Sequence, residues 1–346
     1  MGEFVCTGFK NSAAKADTRG DGMRKRMFGH REAAVIGLGS ADFGGRCGES
    51  LARELMDAYV AIGGNLIDTA RVYGDFRTPK NGESEKVIGR WMADRHCRDQ
   101  IFLSTKGAHP RFDSMRRGRL SREEIRRDMD KSLQDLQTDH VDIYWLHRDD
   151  ESRAVGDILE TLQGLIEEKR TVLTGVSNWR PERILTANAY ARQHGLTPIF
   201  ANQPQFSLAR QAVFMDDTLV SMDASAWRMH RDTGMACCCF SSQAHGFFTK
   251  LAAGGEDSLP GGVKKQYLCP ENLAIYERLL RVKEETGLSV GAIALAYLTS
   301  QPFPTFALAG ASRLEHVWAL REAGDAALTE AQRDFLWSFS GGEGHA

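Results

Sequence analysis

Short apolar runs alternate with longer amphipathic stretches along most of the chain. The runs Val35–Leu38, Asn65–Ile67, Ile101–Ser104, Val141–Leu146, Val172–Val176, Ile199–Asn202, Met235–Phe240 and Phe306–Ala309 read as eight strands. Helical periodicity fills the intervals at Glu49–Ile62, Ser84–Asp94, Arg122–Leu136, Val155–Glu168 and Pro181–Gln193. A weaker helix signal lies within Ala212–Thr233, and two more helices fit between Glu271 and Thr299. After the last strand come Leu314–Ala323 and Glu330–Phe339. Ser121 before Arg122-Glu123-Glu124 is a helix start, with a capping hydroxyl followed by acids in the first turn. Pro181 suits a first helical turn, and Gly195 and Gly287 stand where helices should end. Strand–helix alternation repeated eight times implies a parallel sheet, and strands apolar throughout are buried on both faces. The expected fold class is α/β, a single-domain (β/α)8 TIM barrel. No Pro/Gly-rich linker interrupts it. Ala244–Cys269, after the seventh strand, reads as one long irregular loop.

Composition narrows the function classes. The chain has 346 residues, 42% of them hydrophobic and 26% charged, with a formal net charge of −2. That balance supplies no global positive field for nucleic acid. The seven cysteines are odd in number. Cys237, Cys238 and Cys239 are adjacent, so neighbours point to opposite faces. No Cys-x-x-Cys pair occurs, so reduced thiols, a cytoplasmic location and no metal site are expected. No apolar run is long enough to span a membrane. Residues 1–22 are rich in Gly, Lys, Asp and small side chains and are expected to form a disordered N-terminal extension, with the barrel over 23–346. Met23 is an alternative start, and Arg24-Lys25-Arg26 reads as a solvated basic tail.

Barrel enzymes place reactive groups at the C-terminal ends of their strands. Here Asn65-Leu-Ile-Asp68 ends in an acid, with Tyr73 just beyond. Ile101-Phe-Leu-Ser-Thr-Lys106 ends in an amine, and Val141-Asp-Ile-Tyr-Trp-Leu-His147 ends in an imidazole. A free phenol has a pKa near 10, too high for an efficient proton donor at neutral pH, and a neighbouring ammonium lowers it. Asp68 can fix Lys106, His147 can orient a carbonyl oxygen, and Tyr73 can protonate that oxygen. The matching hydride must come from a cofactor, because no side chain supplies one.

The sequence here resembles the aldo-keto reductase superfamily. The resemblance is carried by Gly-Gly-Asn-Leu-Ile-Asp-Thr-Ala-x-x-Tyr-Gly and Gly82-Glu-Ser-Glu-Lys-Val-Ile-Gly89. Leu-Ser-Thr-Lys106, Asp142-Ile-Tyr-Trp-Leu-His147 and Gly175-Val-Ser-Asn178 continue it, so that it covers about Phe28 to Trp337. It implies a NAD(P)H-dependent reductase of aldehydes or ketones, reversible, with Asp68, Tyr73, Lys106 and His147 as catalytic tetrad and no metal. It also implies that Ser177, Asn178 and Gln203 bind the nicotinamide carboxamide, with Ser40 nearby and Phe240 stacked on the ring. Phe240-Ser241-Ser242-Gln243-Ala244-His245-Gly246 corresponds to a pyrophosphate loop, with Lys250 as its cation. Gly310-Ala-Ser312-Arg313-Leu-Glu-His316 opens the last barrel helix, where Ser312 and Arg313 suit a 2′-phosphate. NADPH is therefore the expected cofactor, with NADH as the alternative. Ala319 and Leu320 stand where the family often carries Glu or Asn against adenine.

Polar rim loops set the substrate expectation. Ala108–Leu120 carries His109 and four arginines, Arg148-Asp149-Asp150 follows His147, and Trp179 follows Asn178. Polar groups with one aromatic platform suit a sugar-derived or similarly polar carbonyl compound, with His109, Arg148 and Trp179 as its contacts. A small-molecule carbonyl or alcohol is the expected partner, without nucleic acid or membrane, and an oligomer is left open. Two other readings compete: a cofactor-binding regulatory subunit with little turnover, and a barrel lyase using Lys106 as a Schiff base.

Overall fold

A computed structural model describes residues 22–74, 82–214 and 216–339. It begins with a hairpin, β1 (Lys25–Phe28) and β2 (Arg31–Ala34), paired antiparallel. The barrel strands follow: β3 (Ile36–Gly39), β4 (Leu66–Asp68), β5 (Phe102–Gly107), β6 (Val141–Leu146), β7 (Thr171–Ser177), β8 (Ala201–Gln203), β9 (Ala236–Cys239) and β10 (Thr305–Gly310). They close in the order β10-β3-β4-β5-β6-β7-β8-β9, every pair parallel. All eight expected strands are present, with ends moved by a residue or a few.

The helices are α1 (Glu49–Ala61), α2 (Glu83–Arg95), α3 (Arg122–Leu136), α4 (Val155–Glu167), α5 (Pro181–Gln193) and α6 (Ala224–Thr233). After β9 come α7 (Phe247–Gly254), α8 (Gly261–Tyr267), α9 (Pro270–Thr286) and α10 (Val290–Thr299). The helices α11 (Leu314–Asp325) and α12 (Glu330–Leu336) follow β10. Ser121 caps α3 as expected, its side chain accepting the Glu124 N–H. Among the described residues no helix is long and apolar enough to cross a membrane.

Period-two alternation divides the core into two bodies. Leu66, Phe102, Ile143, Trp145, Ala201, Cys238, Phe306 and Leu308 fill the barrel interior. Their neighbours Ile67, Leu103, Tyr144, Cys237, Cys239 and Ala307 pack outward against the helices. Gly175 makes room inside, since a Cβ there would lie 2.3 Å from the Trp145 ring. Continuing the inward parity to the strand ends gives Asp68 after Leu66, then Ser104 and Lys106 after Phe102. The same step gives His147 after Trp145, Gln203 after Ala201 and Phe240 after Cys238. The fold thus directs these side chains to one mouth of the barrel.

Two expectations fail. Arg24-Lys25-Arg26 is not a solvated tail. Arg24 is buried, donating to Gly324 O at 2.8 Å, Ala326 O at 2.5 Å and Thr299 Oγ1 at 3.2 Å, while Lys25 and Arg26 belong to β1. The hairpin presses Phe28 into the far end of the barrel, stacked 4.9 Å from Phe102 and 4.2 Å from Phe306. Ala244–Cys269 is not one irregular loop either. It holds α7 and α8, whose Phe247, Phe248, Leu251, Val263 and Tyr267 are buried. The expected disordered extension lies outside the described residues apart from Gly22.

Candidate active site

Lys106 is 1% exposed, and its ammonium has three N–H groups to place. They go to Asp68 Oδ2, to Thr69 O at 3.0 Å and to Tyr73 Oη at 3.1 Å. Burial opposes the charge, but the Asp68 carboxylate and Tyr73 outweigh it and hold the Lys106 pKa above its ordinary value. Asp68 is itself held, by Ser104 Oγ at 2.7 Å and Gln203 Nε2 at 3.2 Å on Oδ1. Trp145 Nε1 then donates to Ser104 Oγ at 2.7 Å. Both carboxylate oxygens are therefore occupied by donors, which is what a buried ion pair needs to persist.

His147 ends β6 with its ring 5.8 Å from that of Tyr73, edge to face. Its Nδ1 is buried and has no hydrogen-bond partner among the described residues. Burial, reinforced by His109, Lys106 and Arg148, pushes its pKa well below the ordinary value. The imidazole is therefore neutral, with one N–H to donate. His109 packs 4.7 Å from the His147 ring, and its Nδ1 pairs with Pro110 O at 2.6 Å. Burial, with Arg148 and Arg119 nearby, lowers its pKa to about 4.

Beside this cluster stand the carboxamide candidates. Ser177 Oγ donates to Gln203 O at 2.8 Å, and Asn178 Nδ2 reaches His147 O at 3.1 Å and Ser177 Oγ at 3.0 Å. Asn178 adopts the left-handed φ of 61°. The Gln203 Oε1 is buried without a partner among the described residues, an acceptor suited to a carboxamide N–H. Ser40 is buried, donating to Asp68 O at 2.9 Å and accepting from Ser84 Oγ at 2.8 Å. It braces the site from beneath. Phe240 is half-buried at the barrel mouth.

The segment after Phe240 turns sharply. Ser241, Ala244, His245 and Gly246 all have positive φ, from 48° to 76°, before α7 begins. Turns of this kind gather backbone N–H groups into anion-binding concavities. Gln243 and Gly246 are partly exposed there, and Lys250 Nζ folds back on His245 O. After Gly310, Ser312 and Arg313 are exposed, and His316 links them. Its Nδ1 is 3.4 Å from Ser312 Oγ and its Nε2 2.9 Å from Arg313 Nη2. Leu320 points into the core, 2% exposed, whereas Ala319 is exposed.

The substrate side needs correction. Trp179 is not an aromatic platform. It is 1% exposed, its Nε1 donates to Arg148 O at 3.3 Å, and the Arg183 guanidinium covers its ring at 5.2 Å. His109 and Arg148 are also buried, although Arg148 still lines a groove. A groove of about 2000 Å³ is lined by Arg148 and Asn178, the neighbours of His147 and Ser177, and flanked by Asp113–Arg119 and Asp217–Ser221. Sequence reasoning missed Ser104 and Trp145, which brace Asp68. Their inward parity with Lys106 and His147 was the available signal.

Comparison with known proteins agrees with this architecture. The profile of the aldo/keto reductase family matches residues 35–336. The chain is 31% identical to a putative aryl-alcohol dehydrogenase of Saccharomyces cerevisiae, over 88% of its own length and 81% of the relative's. It is 31% identical to a probable aryl-alcohol dehydrogenase of the same yeast, over 85% and 89%. To norsolorinic acid reductase B of Aspergillus parasiticus it is 26% identical, over 87% and 77%. An eight-stranded parallel barrel with an acid, an amine and an imidazole inside its mouth, matched by the family over nearly all the described length, is an oxidoreductase that belongs to the aldo/keto reductase family.

Proposed function

We propose that the protein is an NADPH-dependent reductase of an aldehyde or ketone, able to run in reverse, with Asp68, Tyr73, Lys106 and His147 as its catalytic groups. The observation that carries this is the chain of contacts Trp145–Ser104–Asp68–Lys106–Tyr73, ending beside a neutral His147. Tyr73 delivers a proton to the carbonyl oxygen. Lys106, kept charged by Asp68, stabilises the phenolate left behind. His147 donates its N–H to the same oxygen and fixes its direction. The nicotinamide, when bound, supplies the hydride.

The residues fit that cofactor. Gln203 Oε1 is an orphaned acceptor, Ser177 and Asn178 lie beside it, and the turns at Ser241–Gly246 suit a pyrophosphate. Half-buried Lys250 and exposed Ser312 and Arg313 supply polar and cationic groups, and Arg313 favours the 2′-phosphate of NADPH. The relatives' names point to aryl alcohols and the corresponding carbonyl compounds. With Trp179 buried, the platform expected for a sugar is lost, and on the strength of the relatives' names an aromatic aldehyde is the substrate class we adopt. Fluorescence titration with NADPH and NADH tests the assignment. NADPH binds more tightly, and Arg313→Ala weakens it about tenfold or more, the worth of one charge-assisted hydrogen bond, while NADH is little affected. Failure of both nucleotides to bind removes the reading.

A further inference from the structure

A buried cation adjoining His147 is unused by the chemistry above. Arg148 directly follows His147, and its side chain is only 11% exposed. A guanidinium carries five N–H donors. Nη1 donates to His147 O at 2.9 Å, and Nε makes a long contact with Thr218 Oγ1 at 3.4 Å. Nη2 faces Asp216 Oδ2 at 3.8 Å, beyond hydrogen-bond reach. Asp216 uses its other oxygen, Oδ1, to accept the Thr218 N–H at 2.9 Å and Oγ1 at 2.6 Å, so Oδ2 alone faces Arg148. Burial pushes the Arg148 pKa down, and Asp216 and Tyr73 only partly offset this.

Other arginines nearby are spent differently. Arg119 holds Glu124 and Asp128, each at 3.1 Å, and Arg183 holds Asp149 at 3.0 Å. Among the described residues Arg148 has only the looser ion pair with Asp216 at 3.8 Å. A buried, under-compensated cation is costly unless something pairs with it. A purely structural staple to His147 O needs a donor but not a full charge. Arg148 also lines the groove, and its charge helps to lower the pKa values of His147 and His109. A group bound to it would therefore adjoin His147.

We propose that Arg148 binds an anionic oxygen group of the substrate, a carboxylate in the first instance, so that the enzyme selects carbonyl compounds bearing an acid over neutral ones. The guanidinium fork matches a carboxylate in shape as well as charge. Asp216 is 37% exposed, so it can turn toward solvent as the anion arrives. This rests on the reductase reading, which supplies the carbonyl next door.

The test compares para-formylbenzoate with para-tolualdehyde as substrates of the full-length protein with NADPH. Wild type is expected to favour the acid in kcat/KM by about tenfold or more, and Arg148→Met to reduce that ratio about ten- to a hundredfold, with Arg148→Lys between them. The ratio is read because a general loss of activity cancels from it. An unchanged ratio in R148M, or a wild-type preference for the neutral aldehyde, overturns the proposal. Calorimetric titration of para-(hydroxymethyl)benzoate against the protein with NADP⁺ reads binding without turnover. If neither aldehyde is reduced, the reductase reading fails by itself, and binding decides the anion site. Binding that R148M abolishes sustains it, and no binding to wild type overturns it. Should R148M fail to fold, benzoate inhibition of wild-type tolualdehyde reduction decides: competitive inhibition is expected, and none overturns the proposal.

Discussion

Lys106 sits inside the barrel wall with all three N–H groups committed, one of them to Tyr73. That commitment makes its charge permanent through the neutral range, because its pKa lies above the ordinary value. In the proposed reaction the proton-donor role rests on the phenol. Tyr73→Phe keeps the ring and loses the proton, so kcat for aldehyde reduction should fall by about 10²- to 10⁴-fold, the usual worth of a general acid. NADPH affinity, read by titration, should stay nearly constant, because the phenol is not among the cofactor candidates. Equal loss of both would place Tyr73 in binding instead. These residue types were legible because they end successive strands. Their bracing was not, since Ser104, Trp145 and Gln203 acquire meaning only through contacts across β4, β5, β6 and β8.

At the scale of the element, β8 and α6 are joined by a histidine. His230 is buried, its Nδ1 paired with Met235 O at 2.9 Å and its Nε2 with Asn202 Nδ2 at 3.3 Å. One ring nitrogen must donate and the other accept, so the ring is neutral. Burial lowers its pKa to about 4, from an ordinary value of 6.5. The unfolded chain therefore takes up a proton near 6.5 that the folded chain refuses until about 4. The stability His230 contributes is complete above pH 6.5 and is lost as pH falls through that window, about 3 kcal/mol in all. Urea unfolding across this range should show the decline, and His230→Gln should flatten part of it. An identical pH slope in the variant would remove His230 from the account. The sequence marked α6 only weakly, within Ala212–Thr233, because its approach from β8 is irregular. The strands were clearer, since burial on both faces makes each an unbroken apolar run. The hairpin of β1 and β2 went unread for the opposite reason: Lys25, Arg26, Arg31 and Glu32 disguise strands of four residues. Gly29, at a φ of 68°, was the turn signal between them.

The whole molecule separates its tasks between the barrel's two ends. At one mouth lie Asp68, Lys106 and His147. At the other the hairpin inserts Phe28, fully buried and stacked between Phe102 and Phe306. Parallel strands carry both ends, with inward residues of one strand serving as core at the bottom and chemistry at the top. Phe102, Ser104 and Lys106 on β5 form such a series. Stability and catalysis should therefore respond separately to substitution. Phe28→Ala empties a ring-sized space beneath Phe102 and should cost about 3–5 kcal/mol in denaturant unfolding. Below the unfolding transition, kcat should change little, because the strands between the two ends keep their register through hydrogen bonds that do not involve Phe28. A large fall in kcat without loss of stability would mean instead that the plug sets strand positions at the mouth. The hairpin would then belong to the catalytic architecture rather than to the base that supports it.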